Sequence, residues 1–326
     1  MDMAYTGAAR VNNRKVAVVG CGFVGSSSAF ALMQSGLFSE IVLIDVDRAR
    51  AEGEALDIAH GTPFAPAPVK VYAGTYDDVA DAAIVIVTAG AAQKPGETRL
   101  DLVNKNVAIF KSIIPRIAES GFGGILVVVS NPVDVLTYAA LKLSGLPESH
   151  VIGTGTVLDS ARLKQKLGQH LGVDPRDVHA WIIGEHGDSE LAVWSSANVS
   201  GVALSDFCEM LGHYDHEATE RRLLEEVRRS AYEIIDRKHA TYYGIAMSVR
   251  RLCEAIMRDE RRILPVSSLM VGEYGLSDIC ISLPTVVSRD GVECRVPISL
   301  DDEEAAALAA SADALKRVVD QMDLEV

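Results

Sequence analysis

One segment of the chain places a histidine where it could act as an acid and a base. In the segment Ile182–Asp188, His186 stands among the glycines Gly184 and Gly187. Glycines let the backbone bend and let a ligand approach closely, and imidazole is the side chain whose ordinary pKa lies nearest to neutral pH. A lone histidine is more often structural, so this segment alone leaves both a catalytic and a structural role open.

A carboxylate and a guanidinium are spaced so that they share one helix face. The pattern over 156–167 predicts a helix, and Asp159 and Arg162 lie three residues apart on it. Asp159 could fix the tautomer of His186 and stabilise its charged form, while Arg162 could bind a carboxylate through two parallel hydrogen bonds. The alternative is an ordinary surface ion pair between the two residues, which contributes little stability.

A glycine-rich turn predicts a nucleotide site. Gly20, Gly22 and Gly25 have the GxGxxG spacing, follow an apolar strand and open a predicted helix over 26–34. Asp45 closes the next apolar strand, which completes the dinucleotide-binding fingerprint. In that fingerprint the first glycine makes the turn, the second lets the backbone approach the pyrophosphate, and the third lets helix and strand pack. The aspartate would bind the ribose hydroxyls and repel a 2′-phosphate, so NAD is favoured over NADP; a turn without a ligand is the alternative.

Two polar segments follow predicted strands at the same sheet edge. The loop 93–99 (QKPGETR) follows a strand that ends at Thr88. Because loops at the carboxyl ends of parallel strands face the ligand crevice, it could close as a lid and bring Arg99 over a substrate. Asn131 ends another strand and could bind the nicotinamide ribose or the substrate. A plain surface loop and a simple turn are the alternatives.

Short apolar segments in the first half predict strands that alternate with helices. Segments such as 84–87 (IVIV) and 125–129 (ILVVV) are apolar without alternation, which is typical of strands buried on both faces of a parallel sheet. The sequence therefore predicts an α/β fold with a Rossmann-type, doubly wound parallel sheet. The predicted strands are Lys15–Gly20, Glu40–Asp45, Val69–Tyr72, Ala83–Thr88, Gly124–Ser130 and His150–Gly153.

The second half predicts a mixed α+β domain with antiparallel strands. A charged amphipathic pattern predicts a helix over 216–238, and the Asp290-Gly291 pair predicts a hairpin turn. We expect an N-terminal tail over 1–14, a nucleotide-binding domain over 15–156 and a catalytic domain over 157–326. The other predicted elements are strands at Val178–Ile183, Leu264–Val271, Asp278–Ser288 and Gly291–Leu300, a helix at Ala240–Arg258 and a final helix after Asp301.

Composition excludes several classes of protein. The 326 residues include 31 Lys and Arg against 45 Asp and Glu, a net charge of −14 that argues against a nucleic-acid or membrane-surface partner. No apolar run reaches the roughly 18 residues of a membrane span, and 1–14 lacks the apolar core of a signal peptide. Five scattered cysteines favour free thiols in the cytoplasm. His213 and His216 lack the neighbours of a metal site, so we expect no metal.

The motifs, in this order along the chain, resemble the L-lactate/malate dehydrogenase family, and most closely its bacterial L-lactate dehydrogenases. The resemblance runs from about Lys15 to the C-terminal helix. It implies a Rossmann domain followed by a mixed α+β catalytic domain, usually in a homotetramer. It also implies NAD-dependent interconversion of pyruvate and L-lactate in fermentative glycolysis.

The same resemblance implies a role for each site residue. His186 would give a proton to the keto oxygen of pyruvate and take it back from lactate, with Asp159 orienting the ring. Arg162 would bind the substrate carboxylate, and Arg99 would polarise the carbonyl after loop closure. Asn131 would contact the carbonyl or hydroxyl oxygen, and Thr241 would line the pocket. Further implied contacts with NAD are Val24, Arg50, Tyr76, Ser112, Val129, Asn131 and Thr154.

Finer expectations about the substrate and the effector depend on a few individual positions. Malate dehydrogenases of the family have Arg where this chain has Gln93; a neutral Gln would leave a second substrate carboxylate unpaired, which favours pyruvate. Many bacterial relatives bind fructose 1,6-bisphosphate through an Arg and a His. Here Lys164 and His179 stand at those positions, so activation stays open because Lys lacks the bidentate fork. His239 stands where relatives often have Gly.

Three alternatives remain for the function. A malate or broader 2-hydroxyacid dehydrogenase is the nearest one. A NAD-using glycoside hydrolase can share the two-domain architecture, but it uses a metal held by Cys and His. A NAD-binding sensor without activity is the third, and it would have no need of His186, Asp159, Arg162 and Arg99 together.

Overall fold

The first half of the chain folds as the sequence predicts. The computed structural model describes residues 12–91, 99–322 and 324, and for Arg99 it describes the backbone alone. The elements of the first half are β1 (Asn12–Val19), α1 (Phe23–Met33), β2 (Glu40–Ile44), α2 (Arg48–His60), β3 (Lys70–Ala73), β4 (Ala82–Val87), α3 (Arg99–Glu119), β5 (Ile125–Val128), α4 (Val133–Ser144) and β6 (Val151–Gly153).

Within this set of six strands, each strand runs parallel to its neighbours, and their order in the sheet is 3-2-1-4-5-6. That is the strand order of the doubly wound dinucleotide-binding fold. Successive residues of β1 point to opposite layers: Val16 and Val18 pack with α1 and α2, whereas Ala17 and Val19 pack with α3 and α4. Both faces are therefore covered, which explains why the strands are apolar without alternation.

The second half contributes helices and antiparallel strands. Its elements are α5 (Val157–Leu171), β7 (Val178–His179), β8 (Ile182–Ile183), β9 (Leu191–Ala192), β10 (Asn198–Val199), β11 (Val202–Ala203), α6 (Leu204–Met210), α7 (His216–Lys238), α8 (Tyr243–Met257), β12 (Arg262–Val271), β13 (Ser277–Ser288), β14 (Gly291–Arg295) and α9 (Asp302–Val319). The predicted helix over 216–238 matches α7 at both ends. The predicted hairpin joins β13 to β14.

The sheet continues across the middle of the chain. β12 pairs antiparallel with β6 through Ser267 and Gly153, so β12, β13 and β14 extend the parallel sheet to nine strands within the described residues. α8 covers the face that carries α1 and α2, and α9 covers the face that carries α3 and α4. A third apolar cluster lies between α5, α6 and α7.

Several predicted boundaries are wrong. The helix predicted over 26–34 begins at Phe23, and the helix predicted over 156–167 ends at Leu171. The single strand predicted over 178–183 is interrupted at Ala180 and Trp181, because β7 pairs with β10 while β8 pairs with β9 in a different sheet. α8 begins at Tyr243 and not at Ala240, and β14 ends at Arg295 and not at Leu300. In the part of the chain that the structure describes, no helix combines the length and the apolar character needed to cross a membrane.

Candidate active site

The structure brings the predicted histidine, carboxylate and guanidinium into direct contact. Asp159, in the first turn of α5, is almost fully buried. Its Oδ2 lies 2.6 Å from Nδ1 of His186, and its Oδ1 accepts a hydrogen bond of 2.8 Å from Nη1 of Arg162. A quarter of the His186 side chain is exposed. The contact at Nδ1 leaves Nε2 as the ring nitrogen that can exchange a proton with a ligand.

These contacts favour the charged form of the imidazole. Burial by itself would lower the pKa of His186, but the facing carboxylate of Asp159 and the nearby acids Asp134 and Glu190 raise that pKa to about 9. Burial opposes ionisation of Asp159 as well, yet His186 and Arg162 together lower the pKa of this carboxyl. The ring is therefore protonated at neutral pH and ready to act as an acid.

A second carboxylate, which the sequence analysis missed, holds the histidine backbone. Asp134 lies in the first turn of α4 and is 2% exposed. Its Oδ2 accepts a hydrogen bond of 2.8 Å from the backbone N–H of His186. An acid in the first turn of a helix fits the helix dipole without any further partner, so no local pattern indicates this contact.

The loop around His186 is also fastened to the C-terminal helix. The hydroxyl of Ser311, on α9, accepts a hydrogen bond of 2.9 Å from the backbone N–H of Glu185. The same hydroxyl lies 3.0 Å from that of Ser189, which donates to the Glu185 carboxylate. α9 thus fixes the segment on both sides of His186, a role that the pattern of α9 did not predict.

The glycine turn has the geometry of a pyrophosphate site. A Cβ on Gly25 would lie 1.8 Å from the carbonyl oxygen of Gly20, and one on Gly20 would lie 2.5 Å from the backbone of Ala89. A Cβ on Gly22 would meet nothing within 4 Å. Gly22 is the N-cap of α1, where no side chain caps the helix and no acid lies in its first turn. The N–H groups at this helix end can therefore bind an anion, which fits the pyrophosphate of NAD.

Other predicted cofactor residues lie at the same edge of the sheet. Asp45 directly follows β2, and its carboxylate accepts a hydrogen bond of 2.6 Å from the backbone N–H of Cys21. Val129 and Thr154, both buried, directly follow β5 and β6. Asn131 is exposed two residues after Val129. These positions are the carboxyl ends of parallel strands, where such sheets bind ligands.

The remaining predicted cofactor residues lie around this edge. Val24 is half-buried in the first turn of α1, and Arg50 is exposed near the start of α2. Tyr76 follows β3, with the guanidinium carbon of Arg116 4.0 Å from its ring centre. Burial, assisted by the charge of Asp45, raises the pKa of the Tyr76 phenol against the effect of Arg116. Ser112 is exposed on α3, where its hydroxyl donates to the carbonyl of Ile109.

A buried amide on α3 connects two of the predicted loops. Asn106 is 1% exposed and exchanges hydrogen bonds with both backbone groups of Ala91. It also donates a hydrogen bond of 2.7 Å to the carbonyl of Asn131. Ala91 is the last described residue before the predicted lid. Gln93 and the side chain of Arg99 lie outside the described residues, so their predicted roles stay predictions.

The segment that contains Thr241 lies beside the glycine turn. Thr241 is half-buried between α7 and α8, and the ring of the adjacent Tyr242 stacks on Phe23 of α1, with the ring centres 5.3 Å apart. His239 ends α7 with φ at 69°, a left-handed conformation that favours glycine. This conformation explains why a glycine is expected at that position.

The two predicted effector residues lie on adjacent elements. His179 is exposed on β7. The helix α5, which contains Lys164, packs against this strand. The ammonium of Lys164 lies 5.0 Å from the ring centre of Trp181. Burial and the neighbouring charge of Arg262 lower the pKa of Lys164. The binding of an effector by these two residues stays a prediction.

Comparison with known proteins identifies the class. Residues 14–153 match the NAD binding domain of lactate/malate dehydrogenases, and residues 156–326 match the alpha/beta C-terminal domain of the same enzymes. The chain belongs to the lactate/malate dehydrogenase family. The predicted family, its Rossmann-type fold and its NAD-dependent oxidoreductase class are confirmed. The domain boundaries and the roles of the site residues stay predictions.

Individual relatives resemble nearly the whole chain. An L-lactate dehydrogenase of Acetivibrio thermocellus is 50% identical over 311 residues, covering 95% of this chain and 98% of that protein. One of Geobacillus kaustophilus is 51% identical over 305 residues, covering 94% and 96%. The crystal structure of the minor L-lactate dehydrogenase from Enterococcus mundtii in the ligands-bound form is 48% identical and superposes with a TM-score of 0.93, covering 96% of this chain and 99% of that one.

Proposed function

We propose that this protein is an NAD-dependent L-lactate dehydrogenase, which reduces pyruvate to L-lactate and catalyses the reverse reaction. The observation that carries the proposal is the contact of both His186 and Arg162 with the carboxylate of Asp159. Reduction of a 2-keto acid needs a proton donor at the keto oxygen and a cation at the carboxylate. The names of the relatives support the same reaction.

The protein's own residues account for the proton. Asp159 holds the Nδ1 proton, so the Nε2 proton of the charged His186 is the one that passes to the keto oxygen. In the reverse direction the neutral ring accepts the hydroxyl proton of lactate at Nε2. Bound NADH would supply the hydride, and the residues that would hold it are those of the glycine turn with Asp45. We expect opposite pH limbs for the two directions, because pyruvate reduction needs the charged ring and lactate oxidation the neutral one.

Substrate binding and selection follow from charge. Arg162 is 15% exposed, and its guanidinium has further N–H groups with which to bind a carboxylate. Asn131 and Thr241 would border the substrate, and Arg99 would polarise the carbonyl when the loop closes. Gln93 would discriminate against oxaloacetate, because its neutral amide cannot pair with a second carboxylate.

The assembly, effector and location are also part of the proposal. Half-exposed Phe30 and Met247 border a groove between α1, α2 and α8, which suits a contact with a second copy in a homotetramer. Fructose 1,6-bisphosphate would bind at Lys164 and His179, where its phosphate would relieve the repulsion between Lys164 and Arg262. We place the enzyme in the cytoplasm, in fermentative glycolysis.

One assay tests the function. The absorbance of NADH is followed with pyruvate and then with oxaloacetate, each with and without fructose 1,6-bisphosphate. Oxidation with pyruvate supports the proposal, and a requirement for the bisphosphate supports the effector site. Faster oxidation with oxaloacetate would make the protein a malate dehydrogenase, and no oxidation with either substrate would favour a NAD-binding sensor. The Gln93→Arg variant should shift preference toward oxaloacetate.

A further inference from the structure

A further acid lies beside His186 and Asp159, and the proposed reaction does not use it. Glu190 is 2% exposed, four residues after His186. A carboxylate oxygen of Glu190, one of Asp159 and a ring nitrogen of His186 all lie within 4.8 Å of one another. Its Oε1 has no hydrogen-bond partner among the described residues. A buried carboxyl without such a partner is costly in its charged form, so its position calls for an explanation.

Charged groups from several elements face this acid. Asp159 and Arg162 come from α5, and Arg228 comes from α7. Arg228 also donates a hydrogen bond to the backbone carbonyl of Glu190, which fixes the residue against α7. Asp134, from α4, acts on His186 from another side. Two further acids, Asp134 and Asp159, and two guanidinium groups, those of Arg162 and Arg228, therefore act on Glu190 or on His186.

We propose that Glu190 is a positioning residue that shares the titration of His186, so that the charge of its carboxyl extends the pH range in which the ring keeps its proton. Glu190 touches neither substrate nor cofactor in this proposal; it acts through the imidazole. The proposal rests on the proposed acid and base role of His186. A buried acid with a purely structural role would not affect the titration of His186.

The electrostatics agree with a shared titration. Burial and the charge of Asp159 raise the pKa of Glu190 to about 8, against the opposing effects of His186, Arg228 and Arg162. The pKa of His186 lies at about 9. Two interacting groups with such close values lose their protons as a pair. A charged Glu190 helps to hold the proton on His186, because the facing carboxylate raises the pKa of the ring.

The test measures the two titrations directly in the protein without cofactor or substrate. Histidine labelled with ¹³C at Cε1 reports the His186 ring, with the signal assigned by its loss in His186→Gln. Glutamate labelled at the side-chain carboxyl reports Glu190, with the signal assigned by its loss in Glu190→Asp. We expect the Glu190 signal to titrate near pH 8. Titration between pH 4 and 5, the ordinary range of a glutamate, would overturn the proposal.

The variants separate charge from structure. Glu190→Gln should lower the pKa of His186 by roughly one unit, because it removes a facing negative charge and keeps the size of the side chain. The alkaline limb of kcat/KM for pyruvate and the acid limb for lactate should move down by the same amount. Glu190→Asp, which keeps a carboxyl, should restore much of the shift. The matched control is Glu304→Gln. Glu304, on α9, is buried too, but it accepts a hydrogen bond from the Ser195 hydroxyl, so its replacement should leave the His186 titration in place.

The readouts distinguish this proposal from the proposed function. An unchanged His186 titration in folded Glu190→Gln would refute the coupling even if pyruvate proved to be the substrate. A shifted titration in a protein without pyruvate reductase activity would uphold the coupling and reject the function. An equal shift in Glu304→Gln would show that any buried acid has this effect, which would also overturn the proposal.

Discussion

Replacing Asp159 with asparagine should convert the enzyme into one that reduces pyruvate only in acid. The amide has nearly the size of the carboxylate but no charge. It also replaces one of the two oxygens that face His186 and Arg162 with an NH₂ group, which cannot accept a hydrogen bond. The charged imidazole would lose the attraction that outweighs the effect of burial. We therefore expect the pKa of His186 to fall to its ordinary value of 6.5 or below.

The size of the effect follows from that shift. A fall from about 9 to 6.5 corresponds to about 3 kcal/mol of lost stabilisation of the charged ring. At pH 8 the charged fraction would fall from about nine-tenths to about 3%, so kcat/KM for pyruvate should fall by about 30-fold. At pH 5.5 both proteins would be largely protonated, and the remaining difference should be a few-fold. In the variant Asp134 and Glu190 still raise the pKa of the ring and oppose the effect of burial, so the value of 6.5 takes these effects as balanced.

The assay is initial-rate NADH oxidation with pyruvate from pH 5.5 to 9.5, for Asp159→Asn and the parent protein. Circular dichroism and NADH fluorescence check that the variant is folded and binds the cofactor. A loss of activity that is equal at every pH would refute the reasoning, since it would mean that Asp159 acts only by holding geometry. A recovery in acid would support the electrostatic argument.

Three further outcomes are expected. Gly25→Ala should lower the free energy of unfolding by about 3 kcal/mol in urea titrations, because its Cβ would overlap the carbonyl of Gly20. Gly22 has open space around it, so Gly22→Ala should keep that free energy. The same variant should bind NADH at least about 10-fold more weakly, as measured by fluorescence. Ser311→Ala should cost about 1–3 kcal/mol of unfolding free energy, because the buried N–H of Glu185 loses its acceptor; an unchanged midpoint would contradict this. The raised pKa of His186 stabilises the fold fully below pH 6.5, and this stabilisation is lost as pH rises through 9. The unfolding free energy of the parent protein, relative to that of His186→Gln, should therefore fall by up to about 3 kcal/mol between pH 6.5 and pH 9. A difference that does not change with pH would count against the raised pKa.

Much of the fold was predictable from the sequence, because the local pattern of residues in each segment agrees with the position that the segment takes in the fold. β4 and β5 are apolar on both faces because helices cover both sides of the sheet, and the glycine turn follows from backbone contacts that leave no room for a Cβ. α7 was predictable at both ends because its polar and apolar residues alternate with the helical period. In each of these cases the physical cause acts within one element or between close neighbours in sequence.

The rest depends on contacts between distant residues. The backbone of His186 binds a carboxylate 52 residues away, and the backbone of Glu185 binds a hydroxyl 126 residues away. Neither Asp134 nor Ser311 differs in type from ordinary helix residues, so no local pattern distinguishes them. Glu190 was missed for the same reason, since only the folded structure shows that it is buried beside Asp159. The family resemblance supplied roles for His186, Asp159 and Arg162, but it did not supply their supports.

The junction between β6 and β12 has a consequence for synthesis of the protein on the ribosome. Gly153 pairs with Ser267, which emerges about 110 residues later. At a translation rate of about 5–20 residues per second, the nascent parallel sheet keeps β6 as an open edge for about 6–20 seconds. Open sheet edges are templates for pairing with other chains, so polysomes that make this protein expose an aggregation-prone strand during each round. A chaperone that covers that edge until the second half arrives would raise the yield of native enzyme, and a gene cut after residue 156 would leave the edge uncovered permanently.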